Sequence, residues 1–87
     1  MHEFALARQL VRVVQRRLPP GGPRRVTAIT LRLGELTGVT PDSLRLGFEQ
    51  ASAGTPAEGA RLDVETVDGN ELWVVRLEWS EADGRGP

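Results

Sequence analysis

The chain has 87 residues, 39% of them hydrophobic and 26% charged, with a net charge of −1 and no cysteine. That is enough for one small domain with a thin core and too little for two. The composition excludes disulfides, thiolate metal centres and cysteine nucleophiles, and no stretch approaches the ~20 apolar residues of a membrane span.

Charge is unevenly spread. Residues 1–33 carry seven Arg against one acid, and residues 34–87 carry four Arg against eleven acids. Such asymmetry marks either a docking face or two halves that neutralise each other on folding. A near-zero net charge without interleaved Arg and aromatic residues argues against nucleic acid. The N-terminus has no secretory pattern, so a cytoplasmic protein is expected.

From Glu3 to Leu18, Leu6, Leu10, Val13 and Val14 recur at helical spacing, with Arg8, Arg12 and Arg16 on the opposite face. Glu3 near the start and Arg16 and Arg17 near the end suit the helix dipole, and the Pro19–Pro23 stretch stops the helix. Between Val26 and Leu33, Ile29, Leu31 and Leu33 alternate with polar residues, as a strand with one buried face requires. Thr40-Pro41-Asp42 supplies an N-cap and a proline at the first helical position, predicting a second helix to about Ala53, with Gly54 as its C-cap. Gly47 inside that helix costs about 1 kcal/mol relative to Ala.

Arg61–Val67 and Glu71–Trp79 alternate again, and the spacing predicts a hairpin turning at Asp68 and Gly69. Val64 then faces Trp73 and Leu62 faces Val75, although Arg61 falls opposite Arg76. The expected architecture is α+β: a three-stranded mixed sheet with two helices on one face, in the order helix-strand-helix-strand-strand. A right-handed crossover makes the first two strands parallel. The expected core holds Leu6, Leu10, Val13, Ile29, Leu31, Phe48, Val64, Trp73 and Val75, in a single domain over 1–81 with a disordered tail at 82–87.

Catalytic constellations are nearly absent. The one histidine stands at position 2, which makes a serine triad implausible, and the glycine-rich stretch lacks the lysine and helix of a phosphate loop. Scattered carboxylates such as Glu3, Glu35 and Glu49, each taken alone, read as solvated surface groups. The N-terminus differs. A bulky His2 disfavours removal of Met1, so the Met1 amine, the His2 amide and the His2 imidazole are able to close adjoining chelate rings on one metal. Such nitrogens suit tetragonal Ni(II) or Cu(II), with Glu3 completing the set. The plain alternative is a free terminal histidine.

The segments "MHEFALARQLV", "VTAITLRLGELTGVTPDSLRLGFEQASAGTPAEGARLDVE" and "GNELWVVRLEW" together resemble the HypA family of nickel metallochaperones, over about Met1–Leu77. The resemblance implies a non-enzymatic carrier that helps insert Ni(II) into [NiFe]-hydrogenase, sometimes urease. Its expected partners are a HypB-like GTPase and the hydrogenase large subunit, and a homo-oligomer is compatible with it. The family's opening Met-His-Glu is its nickel site, matched by Met1, His2 and Glu3. The family's zinc domain, with two Cys-x-x-Cys pairs, is inserted where this chain has only "DGN", so no zinc is expected. A second reading is a metal-independent interaction module that keeps the fold and its partner surface, with Arg8, Arg12 and Arg16 as the docking face.

Overall fold

The computed structural model describes residues 2–21 and 24–81; Met1 and the expected tail at 82–87 lie outside them. The elements are α1 (Glu3–Arg17), β1 (Arg24–Gly34), a 3-10 turn (Glu35–Thr37), α2 (Pro41–Ala51), β2 (Arg61–Val67) and β3 (Leu72–Glu81). No helix among the described residues is long and apolar enough to cross a membrane.

Both helices start as their sequences dictate. Thr40 Oγ1 accepts from the Ser43 N–H at 3.2 Å while the Thr40 N–H donates to Ser43 Oγ at 3.1 Å, and Pro41 opens the helix where its missing donor costs nothing. α1 closes with the Leu18 N–H on the Val14 carbonyl at 3.2 Å. α2 ends sooner than expected, at Ala51 with Ser52 as its C-cap; Gly54 instead takes the positive φ of 78° in the turn beyond.

The two helices and the inner face of the sheet enclose one core, built on Leu6, Leu10, Val14, Ile29, Leu31, Leu33, Leu44 and Phe48. Val13 and Val64 pack at its margin. Gly47 explains its own presence in α2: a Cβ there would lie 3.2 Å from the Glu3 carbonyl and 3.3 Å from Ala7 Cβ, so the absent side chain lets the two helices approach closely.

The expected hairpin does not form. Strand order is β2-β1-β3, with β1 parallel to β2 and antiparallel to β3. β1 is the most buried strand, and it occupies the centre, where a strand is paired on both sides. β2 and β3 therefore lie at opposite edges, and residues 68–71 cross the end of β1 to join them. The crossing is held by the Gly34 N–H on the Glu71 carbonyl at 2.9 Å and the Leu36 N–H on the Gly69 carbonyl at 2.8 Å.

β3 also departs from simple alternation. The register against β1 shifts at Val75, which sets Leu72, Val74 and Leu77 toward the helices and turns Trp73 to the open face opposite Arg32. Trp73 is 57% exposed and Val75 50%, so neither belongs to the core. Arg17 reaches the bulge from the end of α1, its Nη1 donating to the Val74 carbonyl at 3.0 Å.

Two substitutions test these contacts. Gly34→Ala would drive a Cβ into the Gly69 carbonyl and the Asn70 nitrogen, and should destabilise the fold by about 1–3 kcal/mol in urea denaturation. Arg17→Ala leaves the Val74 carbonyl without its donor and should cost about 1–2 kcal/mol by the same measurement.

Candidate metal centre at the N-terminus

Among the described residues, no three His, Asp or Glu side chains come together in a group able to hold a metal. A shallow groove of about 550 Å³ runs between α2 and β2, floored by Leu46, Phe48 and Leu62 and rimmed by Asp42, Arg45 and Arg61. It lacks a nucleophile–base pair and any imidazole. Backbone nitrogen and the chain's single imidazole occur together at the start of α1.

His2 is the N-cap of α1, with extended backbone (φ −75°, ψ 133°). Its carbonyl takes the first helical hydrogen bond, from the Leu6 N–H at 3.1 Å. Its Nδ1 accepts from the Phe4 N–H at 3.2 Å, filling the role that Ser, Thr, Asp or Asn plays at most helix starts. In that role Nδ1 offers its lone pair to the main chain. The His2 N–H precedes the helix and belongs to no helical ladder.

The side chains of His2 and Glu3 are exposed, yet the backbone that carries them is held. The close approach at Gly47 pins the Glu3 carbonyl against α2, and Ala7 is fully buried one turn further on. Phe4 is half-buried beneath Arg8, whose guanidinium carbon sits 5.9 Å from the ring centroid. Two solvent-facing side chains are thus mounted on a fixed backbone. Of the predicted trio, His2 and Glu3 are adjacent at this helix start, and Met1 lies outside the described residues. Sequence reasoning missed Gly47 as the residue that anchors this end of α1, and missed the capping role of the imidazole.

Arg8, Arg12 and Arg16 all face solvent along α1, a stripe about 12 Å long at 1.5 Å per residue. Among the described residues none of the three meets a carboxylate, whereas Arg24, Arg32, Arg45, Arg61 and Arg76 each do.

The profile of a family described as hydrogenase/urease nickel incorporation, metallochaperone, HypA matches residues 1–73. A hydrogenase maturation factor HypA from Roseiflexus sp. (strain RS-1) is 49% identical over 67 residues, covering 77% of this chain and 54% of the relative. One of the same description from Geobacter metallireducens is 41% identical over 69 residues, covering 79% of this chain and 60% of the relative. The chain thus spans little more than half the length of these curated relatives. With the match running from the candidate metal centre through both helices and into β3, the chain belongs to the HypA family.

Proposed function

We propose that this protein is a nickel metallochaperone that captures Ni(II) through the Met1 amine, the His2 amide nitrogen and His2 Nδ1, with Glu3 as a further donor, and passes it on during [NiFe]-hydrogenase maturation. The observation that carries the reading is an exposed imidazole whose Nδ1, not Nε2, is turned back toward the main chain at the head of α1. Ring size selects the same atom. Amine and amide nitrogens of adjoining residues close a five-membered ring on a metal, amide nitrogen and Nδ1 close a six-membered one, and Nε2 cannot reach the same ion. The donor set is nitrogen-rich and tetragonal, which favours Ni(II) or Cu(II) over hard cations. Such a site holds and releases an ion without catalysing a reaction.

Nδ1 has one lone pair, so capping and metal binding exclude each other. Nickel that takes Nδ1 frees the Phe4 N–H, and the lost cap, worth about 1 kcal/mol, weakens capture roughly fivefold. The same term works in reverse when cargo leaves, because the cap re-forms and favours departure. Gly47 keeps the first turn in place throughout, which confines the exchange to the cap.

The bare Arg8, Arg12 and Arg16 stripe suits an acidic partner surface. A HypB-like GTPase is the partner the family suggests, with the hydrogenase large subunit as the receiver of the metal. The stripe runs along the same helix that presents His2, so a partner seated on it would lie beside the cargo.

Calorimetric nickel titration tests the site. The parent should bind one equivalent, and His2→Ala or extra residues ahead of Met1 should each abolish tight binding. His2→Asn should keep the stability of the parent, since Asn caps well, and still lose nickel. On loading, the Phe4 amide should lose hydrogen-exchange protection. Capture requires deprotonated donors and should weaken as pH falls through the range in which imidazoles and amines take up protons. Parent-like titration in both the His2→Ala and the extended forms would place the metal elsewhere.

A second measurement tests the stripe. An Arg8, Arg12, Arg16 triple change to Glu should weaken GTPase binding by at least about tenfold at low salt, mainly through slower association. Equal affinity in the two forms would sink the docking role.

A further inference from the structure

Both helices pack on one face of the sheet, and the opposite face is open. Toward the end of β1 that face holds a groove of about 360 Å³, lined by Arg32, Val67, Trp73, Val74 and Val75. The link between β2 and β3 walls it at one end. Leu33 is fully buried in the core, so alternation puts Arg32 and Gly34 on the open face, and the space of a Gly34 Cβ is taken by the Gly69 carbonyl and the Asn70 nitrogen. Residues 68–71 therefore lie against that face. Their main chain is fixed by the bonds from the Gly34 and Leu36 N–H groups to the Glu71 and Gly69 carbonyls, so the groove needs no reordering before it is filled.

Charge sets this end of the face apart. Elsewhere on it bases stand beside acids: Arg32 with Glu65 at 2.9 Å, Arg61 with Asp63 at 3.0 Å and Arg76 with Glu78 at 3.8 Å. At the wall the acids stand alone. Asp68 and Glu71 flank Gly69 and Asn70, both are exposed, and among the described residues neither meets a base. No Arg or Lys occurs between Leu33 and Leu44 or between Thr66 and Val75, the two stretches that build this end. An apolar groove thus opens beside uncompensated negative charge.

We infer that this groove docks a basic, apolar segment of a partner protein, with one large aliphatic side chain between Val67, Trp73 and Val75 and an Arg beside it. Alternation along β3 puts Glu71 on the same face as Trp73, so a guanidinium laid on the exposed indole has a carboxylate within reach of its edge. Arg meets both demands, since it stacks on aromatic rings and pairs with carboxylates in one plane. An acidic segment would be repelled at the wall. Because α1 lies on the other side of the sheet, an occupant here leaves His2 and the Arg8, Arg12 and Arg16 stripe uncovered. The two surfaces suit partners of opposite charge, held at the same time.

The probe is a capped, fluorescently labelled peptide centred on Arg-Ser-Leu-Ser-Arg, whose Arg and Leu side chains share one side when extended. Anisotropy titration at low salt against the full chain measures binding, and amide NMR shifts locate it. The parent should bind, with shifts at Val67, Trp73 and Val75, and replacing both peptide Arg by Glu should abolish the signal. Trp73→Ala should weaken binding at least about fivefold, as loss of a central aromatic anchor does. Asp68→Ser combined with Glu71→Gln should weaken it about threefold and flatten its dependence on salt. These positions are exposed, and circular dichroism verifies that the variants are folded. A parent that ignores the peptide, equal binding of the Glu-substituted peptide, parent-like affinity in both variants, or shifts confined to the groove between α2 and β2 would each overturn the assignment. So would groove shifts on concentrating the chain alone, which would make a second copy the occupant.

Discussion

The central position of β1 is the constraint from which the rest of the structure follows. It buries Val26, Ala28, Ile29, Leu31 and Leu33 and is paired on both sides. Once β2 lies parallel on one side and β3 antiparallel on the other, the link between them must cross the end of β1, and that crossing dictates glycine at two positions. Gly34 yields its side-chain space to the Gly69 carbonyl, and Gly69 takes a φ of 113° to turn the chain across. The crossing delivers β3 to the outer edge, where a bulge and the Arg17 contact close only its first half.

The helices were legible because their signals are local. Thr40, Pro41 and the periodic apolar residues of α1 act within one or two turns, and the structure places them where their chemistry predicts. The sheet was less legible because its determinants are not local. Nearness in sequence between β2 and β3 favours a hairpin, yet each of them pairs with β1 instead, the strand that the core buries most completely. In β3, strict alternation groups Trp73 with Val75 and Leu77. The adjacent Val74-Val75 pair was the one sign that the phase changes, and only pairing against β1 reveals where. Gly47 looked like a weakness in α2 because propensity is all a sequence displays there. Its value lies in a contact with Glu3 more than forty positions away in the chain.

At the N-terminus, residue type and position suggested a nitrogen-rich set suited to Ni(II) or Cu(II), and the family resemblance singled out nickel. Neither indicated that the imidazole also caps the helix. Histidine is not among the residues that propensity marks as caps, and the role becomes visible only when φ and ψ of His2 bring Nδ1 to the Phe4 N–H. The choice of residue then acquires a physical reason. Asp or Asn would cap as well but would bring no nitrogen lone pair to a metal, whereas under the proposed function histidine serves both ends with one atom, and so cannot serve both at once.

The charge asymmetry resolves along the same lines. Part of it is internal neutralisation across the sheet: Arg24 of β1 meets Glu81 of β3 at 2.8 Å, and Arg32 of β1 meets Glu65 of β2 at 2.9 Å. These pairs are at least partly exposed, so each contributes little to stability, but together they account for why basic and acidic segments pack side by side. Among the described residues the remainder is not neutralised, because Arg8, Arg12 and Arg16 project into solvent along α1. A helix that needed only solubility would do as well with mixed charges, which also supply stabilising pairs one turn apart. A single-sign stripe forgoes those pairs and repels itself slightly, and in exchange it projects a field long enough to orient an acidic surface before contact, over roughly the 8–10 Å that physiological salt allows.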